Sequence, residues 1–573
     1  MSWRNDIRIV VGLDFGTTYS GFAYCHTASA CQEICTNTDW EELTGHYKTN
    51  TVLQYDEKLD KAVSWGKPAF AKRAERKSKA QDEPKSVGLF KLHLGKLQDD
   101  LKPKIPVDYK IAITDYFREM GKLIKSKINN HWPDMNFHEN VLLVISVPAE
   151  YSKKEMAIIR ECAFKADLII KENTEYLQFT TEPEAAAIYC MKKCLKEYSL
   201  ASIGTTFMIV DCGGGTVDLT TRKIEGENQL GEITERAGDY CGSSFIDEAF
   251  LKYLSSIVGD STIDILKDKK SKSLQYMVQH FCRKAKFPFT GEDPDFCYEL
   301  DILDIIKVLR KCVKDEIKEK LDKINWLIEI DYEKIKSMFD PIVERILNMI
   351  ETQLNNSRDE CSIMFLVGGF GQSKYLKNRI EEKFKDRVKT IVVPKDPIAA
   401  VVRGATLYGL SLYDQLEEKI PFILKNRILN YTYGIKVLME PTKSDPPELK
   451  TIDGYVERFH CIAKRGTVID IDKEILVSDL CPINEFQSSA TFYIYYTKEY
   501  HPKYCAGMEL LGTLKIDLSD RGPNRSVSFA LSFGQMELTA TARNETNGQN
   551  YHAIFKIDED LGVSKKKCNY INN

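Results

Sequence analysis

The sequence predicts a two-part chain: an α/β region built from two duplicated halves over residues 1–415, then a small all-β domain. Three observations carry this. Up to about residue 410 short apolar runs alternate with helical patterns, as they do in α/β domains. A loop of Asp, Gly and Thr follows a strand twice, about 200 residues apart. Beyond about residue 425 the apolar period falls to two, with turn residues roughly every ten positions.

The α/β strands are Ile7–Leu13, Val141–Val147, Thr206–Val210 and Ile363–Val367, each rich in β-branched or large apolar residues. Ile113, Phe117, Met120, Ile124 and Ile128 form one stripe and predict a helix over 113–128. Asp340-Pro341 has the form of an N-cap followed by a first-turn proline, opening a helix over Ile342–Leu354. Residues 245–335 are charged and helical in pattern, an inserted helical lobe. A linker at 416–425 leads to a β-sandwich over 426–562, and 563–573 form a frayed tail. In the β-domain Val527, Phe529, Leu531 and Phe533 alternate with small residues, Gly534-Gln535 makes a turn, and 537–543 and 491–496 alternate again.

Composition closes off several classes of function. With 80 Lys and Arg against 84 Asp and Glu, the net charge of −4 offers no basis for nucleic-acid or anionic-membrane binding. No run approaches 18 apolar residues and no secretory leader is read at the amino terminus, so a cytoplasmic chain without a membrane span is expected. The 16 cysteines are scattered and lack zinc-ligand spacing, which predicts reduced thiols. The N-x-Ser/Thr matches at Asn355, Asn430, Asn524 and Asn544 are accordingly read as chance. The basic run Lys67–Lys85 is read as a solvated edge rather than a contact patch.

The repeated loops carry the chemistry. Asp14-Phe-Gly16-Thr17-Thr18-Tyr19 follows one strand, and Asp211-Cys-Gly213-Gly214-Gly215-Thr216-Val-Asp218 follows another. Backbone N–H groups reach a phosphate only where no Cβ intervenes, and threonine hydroxyls add donors. Each aspartate, repelled by phosphate, suits a hydrated Mg²⁺ instead. Either loop alone reads equally as a tight hairpin turn; the pair points to a nucleotide cleft between duplicated halves. A third loop, Gly368-Gly369-Phe370-Gly371, is open to a base or ribose or to an ordinary strand–helix turn. No P-loop or dinucleotide fingerprint is present.

Gly12–Ser20, Val144–Ala149, Thr181–Ala187, Val210–Asp218 and Val367–Gly369 resemble, in order, the five motifs of the actin-like ATPases. Their wording is similar to the 70-kDa heat-shock (DnaK-type) family, above all its divergent 12A/12B-type branch, across residues 7–410 and more faintly over 525–549. The resemblance implies two lobes of ribonuclease-H-like halves that bind ATP or ADP with Mg²⁺. It places Gly16, Thr17, Thr18, Tyr19, Gly213, Gly214, Gly215 and Thr216 at the phosphates, Asp14 and Asp211 at the metal, and Glu182 by the attacking water. Lys91 matches the family's catalytic lysine, or is an ordinary solvated lysine. Gly238 falls in the loop after the second phosphate motif. Lys286, Gly368 and Gly369 match the adenosine clamp, and Asp396 lies under the ribose and adenine.

Several positions depart from that pattern. Phe287 replaces the clamp's stacking arginine, Arg283 its glutamate, Gln372 a second arginine and Met156 a relay arginine. The linker from Asp414 to Pro421 is charged and proline-broken, and no helical lid is expected after the β-domain. The expected function is a chaperone-like protein that hydrolyses ATP slowly and meets an unfolded-peptide client through a lidless β-domain. A nucleotide-regulated scaffold with little hydrolysis is the main alternative, and a small-molecule kinase the third.

Overall fold

In a computed structural model the described residues are 6–28, 33–70, 85–269, 271–414, 423–471, 473–518, 522, 525–533, 536 and 538–554. The linker's Asp414–Pro421 core, apart from Asp414 itself, lies outside them, as do most of the basic run, the Gly534-Gln535 turn and the tail. The chain divides into two compact units, Met1–Ile423 and Leu424–Asn573.

Unit 1 repeats one sheet plan twice. The first sheet holds β1 (Ile9–Asp14), β2 (Tyr19–His26), β3 (Cys35–Thr36), β4 (Thr49–Asn50), β5 (Val141–Val147) and β6 (Leu177–Thr181). Its order is β3-β2-β1-β5-β6, with β4 paired to β2. The second holds β7 (Thr206–Cys212), β8 (Val217–Gly226), β9 (Gln229–Glu232), β10 (Ala237–Asp239), β11 (Ile363–Val367) and β12 (Thr390–Val392). Its order is β9-β8-β7-β11-β12, with β10 on β8. In each, an antiparallel hairpin precedes two parallel strands. Every residue of β1, β5, β7 and β11 is buried, which is why these strands read as unbroken apolar runs.

Helices cover the sheets: α1 (Tyr109–His131), α2 (Lys153–Lys165), α3 (Glu182–Tyr189), α4 (Ser244–Val258), α5 (Tyr332–Asn356) and α6 (Ala400–Asp414). Each half lends one helix to the other. α3 leaves the first sheet and packs on β7 and β8, while α6 leaves the second sheet and packs on β1 and β5. The two helices cross so closely that a Cβ at Gly404 of α6 would collide with the Ala185 carbonyl of α3. A buried ion network fixes α3 in place. Arg222 of β8 reaches Glu184 of α3 at 3.3 Å and Glu232 of β9 at 3.1 Å, all three side chains fully buried.

One expectation is corrected. Asp340-Pro341 does not open a helix, because α5 starts nine residues earlier and Pro341 lies inside it. Asp331 is the cap, its carboxylate accepting from the Lys334 N–H. Ile335, Met338, Phe339, Ile342 and Val343 are all buried, so the apolar stripe runs through the proline and tertiary packing keeps the helix going. Between α4 and α5 lie helices at Asp260–Lys269, Ser271–Phe281 and Asp315–Lys323, with a two-stranded sheet of Tyr298–Asp301 and Leu327–Ile330.

Unit 2 holds β13 (Thr432–Met439), β14 (Val456–Ala463), β15 (Glu474–Leu480), β16 (Ser489–Thr497), β17 (Glu509–Asp517), β18 (Val527–Ser532), β19 (Thr539–Asn544) and β20 (Asn550–Ile554). They form two antiparallel sheets, β14-β13-β16-β17 and β15-β18-β19-β20. Ile435, Ile494, Leu514 and Ile516 from the first meet Phe529, Leu531, Ala540 and Ala542 from the second in one core.

Candidate functional site

The two duplicated turns face each other. β1 delivers Asp14 as its last residue and turns through Gly16, Thr17 and Thr18 into β2, where Tyr19 is exposed. β7 carries Asp211 and turns through Gly213–Thr216 into β8. Both are tight hairpins; the first needs glycine within its own turn, where a Cβ at Gly16 would strike the Tyr19 carbonyl, and the second needs it against the first. A Cβ at Gly214 would strike the Thr18 hydroxyl, and one at Gly215 the Thr17 hydroxyl. The loop carbonyls point into the protein: Gly213, Gly214 and Gly215 accept from Ser243, Ser244 and Gly242 at the start of α4, and Gly16 accepts from the Thr51 hydroxyl.

Acidic groups gather behind these loops. Asp14, Asp211 and Glu182 are buried, as is Asp218. Lys91, on the short turn Phe90–His93, is buried and its Nζ meets Glu182 Oε1 at 2.8 Å, so it is no solvated lysine. Burial pushes the Glu182 carboxyl up, opposed by Lys91. Burial also drives Asp211 well above the carboxylate range, with Glu182, Asp14 and Asp218 adding repulsion. Asp218 is pushed up to about 8 by burial and by Glu182, against the hydroxyl of Thr216 and the Ala149 N–H, which donates to Oδ1 at 2.7 Å. Gly238 packs where a Cβ would lie 2.6 Å from the Asp218 carboxylate.

The residues that the resemblance assigns to the adenosine divide. Gly368, at a positive φ of 80°, leaves 2.5 Å between its absent Cβ and Asp211 Oδ1, so the third loop is locked onto the second. Gly369 faces open space. Lys286 is buried and spent internally, its Nζ bonding the Ser243 carbonyl and Asp247 Oδ1, each at 2.6 Å. Phe287 is 63% exposed, and Arg283 and Gln372 are exposed too. Asp396 is already held by Arg403 at 2.8 Å and by the Tyr47 hydroxyl at 3.1 Å. Met156 is buried in α2.

Two residues here carry no sequence signal. Lys48, just before β4, places its Nζ 2.5 Å from Asp14 Oδ2, and Asp211 and Glu182 act on it as well. Tyr240, from the loop after β10, donates to the Leu94 carbonyl and accepts from the Lys96 N–H, both at 3.1 Å, so it grips the segment that carries Lys91. Asp218 does carry a signal, as the second aspartate of its motif.

Among the described residues no group of three His, Cys, Asp or Glu side chains is placed to hold a metal ion. Asp14 is moreover paired with Lys48. Asp14 and Asp211 are the oxygen donors that magnesium would take, and a cation at Asp14 would share that carboxylate with Lys48.

Duplicated mixed sheets, with the two Asp-headed turns meeting between them, define the class as the actin-like ATPase fold. No family model matches the chain. It is 24% identical to heat shock 70 kDa protein 12A of Mus musculus, over 96% of this chain and 91% of that one. To heat shock 70 kDa protein 12B of Homo sapiens it is also 24% identical, over 95% and 90%. Chaperone protein DnaK of Thermoplasma volcanium matches at 23% over 55% of this chain and 48% of its own. Along nearly its whole length the chain is thus similar to the 12A and 12B members of the 70-kDa heat-shock proteins, and over about half of it to DnaK. Among the described residues no helix is long and apolar enough to cross a membrane.

Proposed function

We propose that the chain binds ATP or ADP between the duplicated sheets of unit 1 and hydrolyses ATP slowly, and that unit 2 is a β-sandwich that receives an extended client. The observation that carries this reading is the interlock of the two turns, Gly214 and Gly215 against Thr18 and Thr17. It brings the backbone N–H groups and hydroxyls of both loops to one place, a set of donors that suits a phosphate. Lys91 and Glu182 form the reactive pair. Lys91 offsets developing charge, and the raised Glu182 orients the attacking water and takes its proton. Asp14 and Asp211 would hold magnesium with the nucleotide, and magnesium would neutralise phosphate charge. Catalysis of this kind is chiefly positioning and electrostatics.

The test is single-turnover hydrolysis by the full chain and by Asp211→Asn. The variant should bind nucleotide but turn over at least about 100-fold more slowly, a loss typical of a removed electrostatic group. Because it removes a buried, repelled carboxylate, it should also melt no lower than wild type. Unchanged turnover would refute the assignment. The second reading, a nucleotide-regulated scaffold, is favoured by the exposed Phe287 and the internally spent Lys286 and Asp396. Tight binding with no turnover in the wild type would select it.

A further inference from the structure

Lys48 has a position that an ordinary counter-ion does not need. Residues 48–51 run along the whole first phosphate loop: Thr49 pairs with Ser20, Asn50 with Tyr19, and the Thr51 N–H donates to the Thr18 carbonyl at 2.9 Å. The Lys48 stem passes Gly21, its Cγ 2.9 Å from where a Cβ would stand, which directs the ammonium to the base of the loop. There it meets Asp14, under the influence of Asp211 and Glu182. Those three carboxylates by themselves would repel a polyphosphate. Lys91 is already paired with Glu182. The neighbouring Tyr47 reaches Asp396, whose following Pro397 carbonyl accepts from the Gly368 N–H, so this one segment spans from the phosphate end toward the third loop.

We propose that Lys48 is a phosphate-binding residue of the cleft, a partly buried ammonium held at the base of the first loop by Asp14 and offered to the phosphate oxygens of a bound nucleotide. The inference rests on the nucleotide reading given above. A flexible four-carbon stem and three donors let one ammonium serve a carboxylate and a phosphate together. Lys48 thereby supplies positive charge where Asp14 and Asp211 supply only negative.

The experiment is calorimetric titration of the full chain with ATP, ADP and adenosine, with magnesium and in EDTA. The proteins are wild type, Lys48→Met, Lys48→Arg and the double variant Asp14→Asn/Lys48→Met. Lys48→Met should weaken ATP and ADP about 10- to 100-fold, the range for a lost charge-assisted contact, and leave adenosine within about three-fold. Lys48→Arg should recover most of the loss, and the penalty should be larger in EDTA. The double variant removes the unpaired Asp14 charge, so it should melt near wild type yet still bind ATP weakly. Equal losses for ATP and adenosine, or wild-type ATP affinity in the double variant, would make Lys48 a structural counter-ion and overturn the proposal. A wild type that binds neither adenosine nor ATP would instead sink the nucleotide reading, a result distinguishable from normal ATP binding by Lys48→Met.

Discussion

At the scale of single residues, the meeting of the two turns is set by threonines of one half entering glycine gaps in the other. Gly215→Ala should therefore push the Thr17 turn away and weaken ATP binding by about tenfold or more, with far-ultraviolet dichroism unchanged; titration of the variant checks this. Asp218 supplies a pH signature. Its folded carboxyl titrates near 8 against an ordinary value near 3.8, so the folded state holds a proton that the unfolded state releases. Its contribution to stability is complete below about pH 4 and is lost as pH rises through about 8, with a slope of at most about 1.4 kcal/mol per pH unit. Urea unfolding at pH 5 and pH 8 should show a smaller fall for Asp218→Asn than for wild type. The aspartates, glycines and threonines of both turns were legible because loop chemistry is local. Lys48 and Tyr240 were not: their partners lie 34 and 146 residues away, and only the fold brings them together.

Among elements, the continuous apolar strands were the most readable. β5 and β11 run over the spans their composition predicts, because a central parallel strand has no polar face to confuse the pattern. The alternation of β16 was visible for the complementary reason, one face buried and one less so, whereas β18 alternates large with small residues although five of its six are buried. α5 shows where local signals fail, since Asp-Pro imitates a helix start while the apolar stripe from Ile335 to Ile346 passes straight through it. The α3–α6 crossing left no trace beyond the small residues that permit it. Gly404→Ala should force the two backbones apart and cost about 1–3 kcal/mol or more, read as a lower urea midpoint.

For the whole molecule, two units with separate cores predict separable folding. Residues 1–423 expressed alone should unfold cooperatively and gain about 2.7 kcal/mol at ATP concentrations 100 times Kd, while residues 424–573 should show no shift; thermal melts of each piece decide it. The helix exchange between halves has a mechanical consequence. Where α3 and α6 touch, backbone meets backbone at Gly404 and Ala185, and Arg222 bolts α3 to the second sheet. Backbone packed on backbone resists sliding, so motion about this joint is expected to be a pivot. The crossing is thus a fulcrum and the two sheets its lever arms, so a rotation too small to disturb the packing at the pivot is magnified with distance from it.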